Sequence, residues 1–182
     1  MRRPRPTGFS SKLPTMNSSA LDTPERVLSY CQEMGLITEF GSVDIQRLIL
    51  NDDNLTLKFE DLADKDAYIM HAGGASYIIG INSKHPKNRQ RFSMAHEYAH
   101  YQLHRNQITE FPEGERILHR DGNSIPIEWQ ANRFAAKILM PKTAVESAMI
   151  KSDGRIVEAA LALKVSVAAL QFRQEELSRD TA

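Results

Sequence analysis

The sequence predicts an α+β fold: a small, mostly antiparallel sheet packed on one histidine-bearing helix, followed by a helical C-terminal part with a helix-turn-helix-like arrangement. Three observations carry that prediction. Period-two alternation is confined to residues 55–81. From Arg89 onward the apolar spacing is helical. Between these two regimes stands a cluster in which three of the six histidines fall within positions 96–104.

Composition bounds the class. The chain has 182 residues, 41% hydrophobic and 25% charged, enough for one sizeable core. Lys+Arg and Asp+Glu both total 23, so no global positive field exists to hold nucleic acid. A single cysteine, Cys31, excludes an internal disulfide framework and a multi-cysteine metal cage. A lone thiol and the lack of a long apolar run suit a soluble protein of a reducing cytoplasm.

The elements follow in order. Residues Met1 to Ala20 carry Arg2, Arg3, Arg5 and Lys12, three prolines and no acidic group. They read as a disordered basic tail. Thr23-Pro24-Glu25 is a helix start, with Thr23 as cap and Pro24 in the first turn, and Gly35 ends that helix after Met34. A short helix is expected over Asp44 to Leu50. Leu55, Leu57 and Phe59 alternate with Thr56 and Lys58 as a half-buried strand. Ala67 to His71 and Ser76 to Ile81 flank Ala72-Gly73-Gly74-Ala75, a hairpin turn. Helices are then expected over Arg89–His104, Ile125–Met140, Pro141–Lys151, Gly154–Leu163 and Val167–Leu177. The stretch between His104 and Ile125 is long and polar. It reads as a lid or substrate-binding loop or as simple disorder, with Ile117 and Leu118 as a short edge strand.

The chemistry lies in His96-Glu97-Tyr98-Ala99-His100, an HExxH motif. On a helix, His96 and His100 stand one turn apart on one face, so two imidazoles converge on one metal ion. Phe92, Ala95, Ala99 and Leu103 form an adjacent apolar stripe that presses the helix into the core. Zinc used for hydrolysis needs a third protein ligand and an open position. His104 sits about 12 Å from His96 along the axis, too far to share the ion easily. Glu128 is the better candidate. It lies with Asn132 at the edge of an apolar helical face built from Ala131, Phe134, Ala135, Ile138 and Leu139, where a carboxylate is costly unless paired or coordinated. Asn132 is then placed to accept from the free ring N–H of a ligand histidine. Glu97, beside the metal face, is the candidate general base. Tyr98, Tyr101, His104 and His119 are candidate donors to the oxyanion, with no ranking among them.

Two segments together resemble the ImmA/IrrE family of zinc-dependent metallo-endopeptidases. The first is Arg91-Phe92-Ser93-Met94-Ala95-His96-Glu97-Tyr98-Ala99-His100 with Leu103-His104. The second is Glu128-Trp129-Gln130-Ala131-Asn132-Arg133-Phe134-Ala135-Ala136 with Leu139-Met140-Pro141. Tyr98 and Ala99 depart from the small or aliphatic residues and glycine often found there, without touching the ligand pattern. The resemblance spans about Thr23 to Leu177. It implies a gluzincin-like fold, Zn2+ held by His96, His100 and Glu128, and a substrate that is a helix-turn-helix transcriptional repressor. Cleavage would relieve repression in a stress, DNA-damage or mobile-element response. The expected organisation is a tail (1–20), a zincin-like domain (21–141) and a helical extension packed on it (142–182). That extension carries six basic and six acidic residues, which argues against direct DNA binding. A competing class is a non-proteolytic regulatory protein, of the toxin–antitoxin kind, with a structural zinc. The intact Glu97 favours the enzyme, because a structural site has no use for a general base.

Overall fold

The computed structural model describes residues 21–110 and 125–179. The basic tail, His119 and the Ile117–Leu118 edge strand lie outside the described residues. Helix α1 (Pro24–Glu33) starts where Thr23 accepts from the backbone N–H of Arg26, with Pro24 in its first turn. It ends on Gly35, whose φ of 64° lets Leu36 N–H reach back to Cys31 C=O at 2.8 Å. Asp44 caps α2 (Ile45–Leu50) by accepting from Arg47 N–H. The strands are β1 (Leu55–Glu60), β2 (Ala67–His71) and β3 (Tyr77–Asn82). Gly73 and Gly74 have φ of 96° and 58° and turn β2 into β3, as the glycine pair predicts.

The sheet itself corrects the mostly antiparallel expectation. Its order is β1-β3-β2; β2 runs antiparallel to β3, but β1 runs parallel to it. Residues 61–66 cross the end of β3 instead of turning back beside β1. Buried Asn82 pins that crossing, donating from Nδ2 to the carbonyls of Ala63 (3.1 Å) and Lys65 (2.7 Å). Tyr68 then spans the sheet from the opposite edge. Its ring lies over Gly80 of β3 and its hydroxyl donates to Glu60 of β1 at 3.0 Å. Phe59, placed by the alternation on the buried face of this strand, is 44% exposed near its end.

The histidine-bearing helix α3 (Lys87–Leu103) packs on β2 and β3 and on α2, and α5 (Ile125–Leu139) lies along it. Its buried face is wider than the expected stripe. Met94, Ala95, Tyr98, Ala99 and Tyr101 are all buried, whereas Phe92 and Leu103 are half-buried. Ala95 and Ala99, both fully buried, leave room for neighbouring elements to approach closely. A short α4 (Arg105–Thr109) follows inside the stretch read as a loop.

Helices α6 (Lys142–Lys151), α7 (Ile156–Leu163) and α8 (Val167–Arg179) share one apolar core with the sheet and α3. Buried and partly buried polar contacts tie them down. Arg91 of α3 donates to Leu163 C=O (2.8 Å) and Val43 C=O (3.2 Å), and Arg173 donates to Met140 C=O (3.0 Å). Arg133 of α5 donates to Glu176 of α8 at 3.0 Å. Among the described residues, no helix is long and apolar enough to cross a membrane.

Candidate metal centre

The site is built by two helices. One turn of α3 separates His96 from His100, and the two rings meet edge to face with centroids 4.6 Å apart. The first turns of α5 bring Glu128 across to both. His96 Nε2 and His100 Nε2 are 3.0 Å apart, and they lie 3.2 Å and 3.3 Å from the two carboxylate oxygens of Glu128. An ion with bonds of about 2.0–2.1 Å at tetrahedral angles holds its ligand atoms about 3.3 Å apart. The three side chains therefore sit at ligand-to-ligand spacing, and this donor set of two imidazoles and a carboxylate fits a zinc site with an open position.

Electrostatics around the cluster follow from burial and from two carboxylates. Burial opposes a charge on His96. The Glu128 hydrogen bond, the charges of Glu97 and Glu128 and the Asn132 hydrogen bond outweigh it and raise the imidazole above its ordinary value. Glu97 is buried, at 5% exposure, and its Oε2 has no hydrogen-bond partner. Desolvation pushes its carboxyl up to about 7; His96 pulls it down and Glu128 pushes it further up. A carboxyl at that level exchanges a proton near neutral pH.

The surrounding residues divide clearly. Asn132 Oδ1 lies 3.0 Å from His96 Nδ1, one helical turn after Glu128. Tyr98 and Tyr101 are not brought to the cluster. Tyr98 is buried on the side of α3 that faces Cys31 and Asp52, and Tyr101 packs on Tyr77 with the Arg105 guanidinium over its ring. Both are core residues, and burial leaves neither hydroxyl at the open position. His104 is buried behind His100, its Nδ1 3.0 Å from His100 Nδ1 and its Nε2 3.1 Å from Gln130 Oε1. Both ring nitrogens are thus engaged, one with His100 and the other with Gln130. Gln130 escaped the sequence reading because its backbone position is on the exposed face of α5. The available signal was the i,i+4 spacing of His100 and His104.

The family described as IrrE N-terminal-like domain matches residues 51–175, most of the chain and all of this site. The chain belongs to the ImmA/IrrE family of metallopeptidases. No curated protein matches it. The matched span of this ImmA/IrrE metallopeptidase runs from the residues just before β1 into α8. It therefore includes the sheet, both helices that carry the candidate site and α6–α7.

Proposed function

We propose that this metallopeptidase is a zinc-dependent endopeptidase in which His96, His100 and Glu128 hold the ion and Glu97 handles the proton. Bound there, zinc supplies a Lewis acid for the scissile carbonyl and lowers the pKa of a water. Glu97 takes the proton of the attacking water at its unpartnered Oε2 and returns it to the leaving amine. Asn132 fixes His96 by accepting from its Nδ1, which leaves Nε2 with its lone pair toward Glu128.

The observation that carries the reading is a buried carboxyl, that of Glu97, whose Oε2 has no hydrogen-bond partner, next to the His96–His100–Glu128 cluster. A structural zinc would leave Glu97 as an unexplained buried carboxyl, so the non-proteolytic alternative is the weaker reading. The substrate class, a helix-turn-helix transcriptional repressor, rests on the resemblance of the two signature segments to ImmA/IrrE proteins.

Glu97→Gln tests the proposal. Gln is nearly isosteric but accepts no proton, so cleavage of a repressor encoded beside this chain should fall by about 10²–10⁴-fold with zinc content unchanged. His96→Ala should lose metal as well. Undiminished cleavage by Glu97→Gln, read by gel and mass spectrometry, would refute the assigned role. Regulation that persists in cells carrying only that variant would favour the binding-protein class.

A further inference from the structure

The ligand histidines are held from behind by acceptor oxygens of α5, one directly and one through a third histidine. Gln130 Oε1 can only accept, so the 3.1 Å contact requires the hydrogen of His104 on Nε2. A neutral imidazole carries one N–H and one lone pair, so His104 Nδ1 is then an acceptor. Its neighbour at 3.0 Å, His100 Nδ1, must donate. That leaves the lone pair of His100 on Nε2, the atom 3.0 Å from His96 Nε2 and 3.3 Å from Glu128. On the other ligand, Asn132 imposes the same tautomer on His96 without an intermediary.

We propose that His104, backed by Gln130, is a positioning residue for the metal centre: it sets the tautomer and ring orientation of His100 and so presents Nε2 to the ion. This rests on the metal-centre reading above and adds two residues to it. His100 is fully buried, so no bulk water replaces His104 as the acceptor for its Nδ1–H. His104 occupies the junction of α3 and α4, capping one and starting the other, and its ring is buried between His100 and Gln130.

The substitutions follow from atom positions. Asn carries Oδ1 close to where His carries Nδ1, so His104→Asn keeps an acceptor for His100. His104→Leu removes it. Gln130→Leu, at an exposed position, removes only the outer link. Zinc affinity is measured by competition with a chromophoric chelator at fixed pH, with thermal melts to verify the fold. His104→Leu should bind zinc about 10–100-fold more weakly, and His104→Asn should recover most of that loss. Gln130→Leu should weaken binding less than His104→Leu. In two-bond proton–nitrogen spectra of the zinc-loaded, unsubstituted protein, His100 should be protonated on Nδ1 and His104 on Nε2.

Folded His104→Leu with wild-type zinc affinity would overturn the proposal. So would a His104 protonated on Nδ1, a readout that needs no variant. Failure of the unsubstituted chain to bind zinc would instead refute the metal-centre reading, so the two failures are distinguishable.

Discussion

Gly80→Ala tests the crossed sheet directly. A Cβ built on Gly80 falls 2.0 Å from Cε1 and 2.3 Å from Cζ of Tyr68, against an ordinary contact of about 3.5–4.0 Å. The ring cannot yield by a small shift, because Tyr68 is only 2% exposed and tethered by its hydroxyl to Glu60. Expelling it returns on the order of 150 Å² of surface to water, or about 4 kcal/mol at about 25 cal/mol per Å². Replacing a strand glycine with alanine offsets about 0.5–1 kcal/mol of that. The expected net destabilisation is about 3 kcal/mol, read as a lower urea midpoint with an unchanged slope. A double-mutant cycle supplies the control. In a Tyr68→Ala background the obstacle is gone, and Gly80→Ala should be neutral or slightly stabilising. A neutral Gly80→Ala in the otherwise unsubstituted protein would refute both the Tyr68 placement and the strand order it bridges.

Three further outcomes are expected. Glu128→Ala should lose zinc, by elemental analysis, while Lys137→Ala, on the far side of α5, should retain it; equal retention by both would remove Glu128 from the ligand set. Cys31 is fully buried, and desolvation, with a smaller push from Asp44, raises its thiol to about 12. The native protein should therefore resist iodoacetamide at a pH of about 8.5 and react only when unfolded. The raised value also means that the unfolded thiol ionises first, so stability falls between the unfolded pKa of about 8.5 and the folded one. Arg91→Met should leave the carbonyls of Val43 and Leu163 without their guanidinium donor and cost about 2–4 kcal/mol in a denaturant melt; an unchanged midpoint would show that neither bond matters.

The extent of legibility follows the range of the physics. Local signals specify local structure. Thr23-Pro24 and Gly35 bound α1, Gly73-Gly74 turns β2 into β3, and the repeat of His96 and His100 at i and i+4 places two imidazoles on one helical face whatever surrounds it. Glu128 and Asn132 were legible for the same reason: a polar pair one turn apart at the edge of an apolar face needs polar partners, and the HExxH helix carries them.

What depended on residues distant in sequence was decided only by tertiary packing. The six residues 61–66 are compatible with a return beside β1 as well as with a crossing, and no periodicity separates the two. The crossing is selected by Asn82 satisfying the carbonyls of Ala63 and Lys65, and by Gly80 admitting the Tyr68 ring. Tyr98 and Tyr101 admit a site role in sequence, although ordinary packing is the favoured reading for each, because a helix offers every face to something; the sheet and the preceding helices claimed theirs. Gln130 shows the opposite case. Its backbone lies on an exposed face, but a long side chain at the α3–α5 crossing reaches His104 at 3.1 Å. The sequence by itself determined the face of α3 that carries His96 and His100 and the helix that answers it. The tertiary structure decided which polar atoms stand behind those histidines, because hydrogen bonds between elements depend on how the elements cross, and no local pattern encodes that angle.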